Sequence, residues 1–198
     1  MDLQRLTDYC AGHRPGLLGG GTDCAVLVPI VDTAAGPALL FEVRSAALHR
    51  HRGEVCFPGG RMEPGETPAA CALRETEEEL GIPTENVTLL GPLDFLHLRS
   101  EALLYPVVGR VKPTALTLSG EVADTFTVPL DWLRTHPPRV CRYLLRPEGT
   151  EGFPYDAVGQ APDYSWTPGH MEVPVYEGLP YPLWGITGRI VQELIRRL

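Results

Sequence analysis

The chain has 198 residues, 43% hydrophobic and 21% charged, which suffices to bury a core and fits a single domain spanning residues 1–198. A formal charge of −8 argues against sequence-independent binding of nucleic acid, which needs a broad basic surface. No apolar run approaches the roughly 20 residues that cross a bilayer, so no membrane partner is expected. Five scattered cysteines (Cys10, Cys24, Cys56, Cys71 and Cys141) lack paired metal-ligand spacing, and the chain shows no secretory signal. Its end, Ile195-Arg196-Arg197-Leu198, is not the Ser-Lys-Leu peroxisomal address, so the cytoplasm is the expected compartment.

Residues 1–9 read as a short amphipathic helix with Leu3, Leu6 and Tyr9 on one side, followed by a glycine-rich connection from Gly12 to Thr22. Two apolar runs with β-branched residues, Cys24 to Ile30 and Ala38 to Val43, predict neighbouring strands separated by the turn-forming Asp32 to Pro37, the first strand central. Beyond them, His49-Arg50-His51-Arg52 concentrates positive charge in an acidic chain, and with Arg44 it suits an anionic ligand.

The next stretch carries the chemistry. Gly60-Arg61-Met62-Glu63-Pro64-Gly65-Glu66 leads into Arg74-Glu75-Thr76-Glu77-Glu78-Glu79-Leu80-Gly81-Ile82. Thr67 as N-cap, Pro68 in the first turn and Gly81 as a left-handed stop predict a helix from Pro68 to Leu80. At about 100° per residue, Glu75, Glu78 and Glu79 leave one side within an arc of roughly 100°. Ala69, Leu73, Thr76 and Leu80 are the expected packing stripe opposite. Arg74 lies four residues before Glu78 and is expected to reach back to Glu66, orienting the loop against the helix. Like charges side by side are unfavourable until a cation arrives, and hard oxygen donors at this spacing suit Mg²⁺ or Mn²⁺.

Val87 to Leu98 and Leu103 to Val111 read as strands, and Phe126 to Leu130 ends another before a short helix at Asp131-Trp132-Leu133. This order predicts a mixed sheet with helices on both faces. Pro147 to Pro182, with Phe153, Tyr155, Tyr164, Trp166, Tyr176 and Tyr181, reads as extended and packed, because its aromatics carry too much apolar area to leave in water. Ile186, Ile190, Leu194 and Leu198, with Val191 and Ile195 beside them, predict a final amphipathic helix docked on the sheet.

Residues 60–82 resemble the signature box of the Nudix hydrolases at every charged and glycine position, with Thr76 standing where an aliphatic residue is more usual. The resemblance implies an α/β fold, an α/β/α sandwich with a mixed β-sheet, cleaving a nucleoside diphosphate linked to another moiety. It also implies that Glu75, Glu78 and Glu79 are the principal ligands of Mg²⁺ or Mn²⁺, with Gly60, Glu66 and Arg74 supporting the box, and that a homodimer is open to the chain.

Upstream, residues 39–59 resemble the extension peculiar to the coenzyme A pyrophosphatase branch at Arg44, Ser45, Leu48, His51, Gly53, Val55, Cys56, Phe57, Pro58 and Gly59. Glu54 departs from the pattern, standing where that branch usually carries Gln; it removes a donor and adds negative charge, or adds a metal ligand. Tyr105 to Gly109, Glu121 to Phe126, Val128 to Leu130 and Trp184 to Thr187 also match. The branch implies cleavage of coenzyme A to 3′,5′-ADP and 4′-phosphopantetheine, with Arg44, Ser45, His51, Glu54 and Phe57 on the substrate. A carboxylate near the attacking water takes its proton, and Glu75, Glu78 and Glu121 are the candidates. Two readings compete: hydrolysis of another nucleoside diphosphate derivative such as ADP-ribose or a dinucleotide, and a non-catalytic nucleotide sensor.

Overall fold

A computed structural model describes residues 3–13, 17–98, 102–146, 148, 152–161 and 163–198. Strands β1 (Cys24–Thr33) and β2 (Gly36–Arg44) form a hairpin closed by Ala34 and Ala35, with Gly36 at φ 98°. The Thr33 hydroxyl donates to the Gly36 carbonyl at 2.8 Å and accepts from the Ala35 N–H, so the turn is tighter than the Asp32 to Pro37 expected.

The hairpin opens as it leaves the turn. Ile30 to Thr33 pair with Gly36 to Leu39; farther along, β4 (Gly59–Arg61) takes over on Cys24 to Val26 and β3 (Val55–Cys56) on Glu42 and Val43. The segment from Val55 to Arg61 is thereby wedged between the two longest apolar strands of this half. β7 (Leu103–Val111) runs parallel to β1 on its other side, β5 (Val87–Pro92) lies antiparallel beyond it, β6 (Leu96–His97) pairs with its start, and β8 (Val122–Pro129) borders β2. These eight strands among the described residues form one mixed sheet in which β1 is internal, as expected.

Side-chain alternation gives the sheet two faces. On one, Ala25, Leu27 and Val107 meet Cys71 and Ala72 of α2 (Pro68–Leu80), while Leu40, Val111 and Val122 meet Leu80 and Ile82. On the other, Val28, Leu39, Phe41, Val43, Leu104 and Val128 build a core with Leu133 of α3 (Leu130–Thr135) and with the C-terminal part. That part is a three-stranded sheet of β9 (Arg139–Leu145), β10 (Gly169–Tyr176) and β11 (Leu183–Trp184), followed by α4 (Gly185–Arg197). Ile190, Val191 and Leu194 seat α4, at roughly 1.5–3 kcal/mol for each buried side chain. Gly188 lets the helix approach β10, since a Cβ there would sit 3.1 Å from the Pro174 carbonyl.

Several expectations are corrected. Residues 1 and 2 of the expected 1–9 helix lie outside the described residues; residues 3–9 fall in α1 (Leu3–Gly12), which runs on to Gly12 and has no buried side chain, Leu3, Leu6 and Tyr9 being exposed. The packing stripe of α2 is Cys71, Ala72, Thr76, Glu79 and Leu80, rotated from the Ala69, Leu73, Thr76 and Leu80 expected. Ile190, Val191 and Leu194 of α4 are buried as expected, but Ile186 and the residue after the helix, Leu198, are exposed, and Thr187 and Gly188 join the buried face. The strand expected over Val87 to Leu98 is two, β5 and β6, while β9 had no expectation at all. In the aromatic stretch, residues 147, 149–151 and 162 lie outside the described residues. Tyr176 is buried, but Phe153, Tyr164 and Trp166 pack edge to face on one another and stay more than a third exposed.

Candidate active site

The loop and helix that carry the carboxylates are fixed by their own side chains. The Thr67 hydroxyl accepts from the Ala70 N–H, a cap worth about 1 kcal/mol, and Gly81 ends the helix at φ 65° with its N–H on the Glu77 carbonyl. Arg74 reaches back as expected: Nε donates to Glu66 Oε1 at 3.0 Å and Nη2 to Glu66 Oε2 at 3.1 Å, and Nη2 also reaches the Arg61 carbonyl. Glu66 in turn accepts from the Glu63 N–H at 2.8 Å. This double contact holds the Glu66 carboxyl below the usual carboxylate range, the Arg74 bonds being the larger cause. Arg74 Nη1 extends the network to Glu75 at 2.8 Å and Glu78 at 3.3 Å.

The three box carboxylates occupy different depths. Glu78 is 60% exposed at its side chain, Glu75 17%, and Glu79 is buried. The glycine pair explains how the last two fit. A Cβ on Gly60 would lie 2.4 Å from Glu75 Oε1, so only glycine leaves room for that carboxylate. A Cβ on Gly59 would strike the Ala25 carbonyl at 2.3 Å, and the Gly59 N–H donates to Glu79 Oε2 at 2.8 Å. Glu79 is held above the ordinary carboxylate range, first by burial and then by the charge of Glu42, with the Gly59 bond opposing.

Glu42 is the residue the sequence reading passed over. It lies on the α2 face of β2, 1% exposed, with Oε1 accepting from the Cys56 thiol at 3.0 Å and Oε2 without a partner. Burial raises its carboxyl, and the thiol and Arg44 oppose the rise. The available signal was a single carboxylate inside the apolar run Leu39-Leu40-Phe41-Glu42-Val43. Cys56 belongs to this cluster; burial and Glu42 hold its thiol far above its usual range, which excludes a nucleophilic thiolate.

Beside the carboxylates, Arg44 closes a loop: its N–H donates to the Glu54 carbonyl at 2.9 Å and its carbonyl accepts from the Gly53 N–H at 3.0 Å. Within that loop His51 sits at φ 56° and its Nδ1 lies 3.0 Å from Glu54 Oε2, while Arg52 bonds the Leu48 carbonyl. Arg44 Nη2 is 3.9 Å from Glu121 Oε2, and Arg44 Nε is buried without a partner. Arg44, His51, Glu54, Cys56, Phe57 and Gly59 form one wall of a cavity of about 390 Å³ whose other wall is Leu104, Trp184 to Thr187 and Ile190. The Thr187 hydroxyl ties the walls together by donating to the Val55 carbonyl at 3.0 Å.

Comparison with known proteins places this arrangement. The family described as NUDIX domain matches residues 22–143, from the start of the sheet through the carboxylate helix and into β9. The chain belongs to the Nudix family. Nudix hydrolase 3 of Caenorhabditis elegans is 39% identical over 140 residues, covering 66% of this chain and 58% of that protein. The mitochondrial coenzyme A diphosphatase of Mus musculus is 32% identical over 203 residues, covering 100% of this chain and 87% of that protein. Among solved structures, a Nudix hydrolase from M. smegmatis aligns over 59% of this chain and 75% of its own at a TM-score of 0.51 and 22% identity. A MutT/nudix family protein from Enterococcus faecalis aligns over 99% of this chain and 69% of its own at a TM-score of 0.51 and 16% identity. Both share the fold.

Within this Nudix fold, Gly60, Glu66, Arg74, Glu75, Glu78 and Glu79 come together around one helix face, and Arg44 and Glu121 stand at its edge. Among the described residues no three carboxylate, thiol or imidazole groups converge as a ligand set, and Glu75 and Glu78 are instead bonded to Arg74. The donors nonetheless fit a hard divalent cation: they are oxygens, and Glu42 Oε2 is a buried lone-pair site that lacks a proton donor. Of the other expected residues, the Ser45 hydroxyl accepts from the Ala47 N–H in its own turn and its N–H donates to the Glu121 carbonyl. Phe57 is 3% exposed and stacked on Phe41 at 4.9 Å, so it offers the cavity a wall and no free ring face. Glu54 faces His51 on the cavity rim.

Proposed function

We propose that this Nudix hydrolase cleaves the diphosphate of coenzyme A or its derivatives to 3′,5′-ADP and 4′-phosphopantetheine. The observation that carries the reading is the junction of a carboxylate face and a largely apolar cavity, which share Cys56 and Gly59. A substrate matched to it has a diphosphate continued by a long uncharged arm, which describes pantetheine. Relatedness along the whole chain to a mouse protein named for that activity supports the same substrate.

Glu75, Glu78 and Glu79 would hold the cation. Mg²⁺ or Mn²⁺ there supplies neutralisation of diphosphate charge and a lowered pKa for a bound water. Arg44, with a buried nitrogen to spare, orients a phosphate oxygen, and the exposed His49 to Arg52 run adds positive potential at the rim. Glu75, Glu78 and Glu121, the last 59% exposed and next to Arg44, are the candidates to take the proton from the attacking water. The cavity walls exclude bulk water from the arm.

We read residues 1–198 as one domain, since Tyr176, Leu183 and Ile190 share a core with Val28 and Leu39. The five cysteines are free thiols, which suits a reducing cytoplasm, although two mouse relatives are named for the mitochondrion and the peroxisome. Among the described residues no helix is long and apolar enough to cross a membrane. Incubation of the purified chain with coenzyme A, ADP-ribose and NADH, each with Mg²⁺ and with Mn²⁺, tests the substrate. Release of 3′,5′-ADP from coenzyme A is the expected result. Its absence alongside cleavage of ADP-ribose or NADH transfers the assignment to those substrates, and an inert protein favours the sensor.

A further inference from the structure

The strand residue Glu42 is poorly explained by folding alone. A buried carboxylate costs several kcal/mol unless it is paired and fully hydrogen-bonded. Here one oxygen has only a thiol, a weak donor, and the other has nothing. Its surroundings do not repair this. On its own strand, Arg44 lies two residues on and is aligned with Glu121 at 3.9 Å. From β3 comes Cys56, and from α2 come the like charges of Glu75 and Glu79. Leu40, the preceding residue on this face, is an ordinary core side chain, so an apolar residue at position 42 would serve the sheet better. Buried polar groups that break the local rule mark functional positions.

We propose that Glu42 is a further carboxylate of the cation centre, a positioning residue whose free Oε2 accepts a hydrogen bond from a water of the bound cation beneath Glu75 and Glu79. The inference rests on the cation-binding reading above and deepens it. Mg²⁺ and Mn²⁺ retain waters that need acceptors, and a carboxylate just outside the ligand set both orients them and adds charge attraction. Gly59 and Gly60 are what bring the two layers together: the first N–H fixes Glu79 over the β1 to β2 opening, and the second admits Glu75. Cys56 keeps the carboxylate from turning away, through Oε1, and leaves Oε2 for the cation side.

The test is Mn²⁺ binding followed by electron paramagnetic resonance, together with thermal melts in EDTA and in Mn²⁺, for the wild-type chain, Glu42→Gln and Glu42→Asp. The expected result is a Kd for Mn²⁺ weakened about 10- to 100-fold in Glu42→Gln, the range for removing a supporting acceptor. Its melting temperature in EDTA should rise, because a buried charge has gone, and its Mn²⁺-induced rise should shrink. A structural role alone would instead lower the EDTA melting temperature and leave the Kd unchanged, which overturns the proposal. Should Glu42→Gln fail to fold, Glu42→Asp keeps the charge and withdraws the oxygens by one methylene; an unaltered Kd there overturns it equally. If the wild-type chain binds no Mn²⁺, the cation reading itself falls and this inference with it.

Discussion

The two halves of the site are built on opposite principles. The carboxylate half is largely a local device: Glu66, Arg74, Glu75, Glu78 and Glu79 lie within 14 positions of one another, and Arg74 donates hydrogen bonds to Glu66, Glu75 and Glu78, Glu79 alone being held from outside by the Gly59 N–H. The cavity half joins Val55 to Phe57 with Trp184 to Ile190, segments far apart in the chain that meet only because α4 docks on the core. Charge and hydrogen bonding tolerate little displacement, whereas an apolar wall works by volume. Substitutions in the first half should therefore act on turnover and those in the second on substrate fit.

The largest effect is expected from Glu78→Gln. Its side chain is mostly exposed, so thermal melting should be unchanged while kcat falls by roughly two to four orders of magnitude. Near-normal turnover would show that the exposed carboxylate stands outside the chemistry. Next comes Gly60→Ala, which puts a methyl group against Glu75 Oε1, the movable end of a side chain. Displacing that carboxylate should cost on the order of 10²-fold in kcat with a small change in melting temperature. A collapse of the fold would instead assign Gly60 to packing.

On the cavity side, Ile186→Trp enlarges an exposed residue at the lip without disturbing the core. It should raise KM for coenzyme A about 10-fold, leave kcat nearly unaltered, and spare a substrate without a long arm; equal effects on both would dissolve the contrast between the halves. A pH test probes the carboxylate half without mutation. Burial, Glu42 and Glu75 raise Glu79, against Gly59 and Arg44, so the folded state binds more protons than the unfolded state above the ordinary carboxylate range. In EDTA the melting temperature should accordingly fall as pH climbs from that range towards neutrality, and Mn²⁺ should reverse the slope. A rising slope in EDTA would mean that other carboxylates dominate. Glu54→Gln should have the smallest effect, a change of about threefold or less in KM, because its contact with His51 is an exposed pair.

How far these features could be read in advance follows the same divide. The helix limits, the cap on Thr67, the Gly81 stop and the Arg74 to Glu66 contact were legible because each depends on residues a few positions away. The stripe of α2 was misassigned because ranking by hydrophobicity cannot foresee that Glu79 is drawn inward by the Gly59 N–H, a bond across 20 positions. For Glu42 the sequence offers only the weak signal of one carboxylate in an apolar run, and it takes the pairing with Cys56 and the proximity of the α2 carboxylates to set it apart from a solvated strand residue. The outward apolar sides of α1 and the exposure of Ile186 likewise depend on what the element meets.

The sequence by itself determined the metal-binding chemistry to be expected, the elements that carry it and their ends, because capping, turns and charge spacing act over one or two helical turns. The tertiary structure alone decided which carboxylates are buried, where Arg44 and Glu121 stand relative to them, and that a cavity adjoins them. Those depend on the opening of the β1–β2 hairpin and on the seat of α4, and both come from packing between segments that local rules treat as independent.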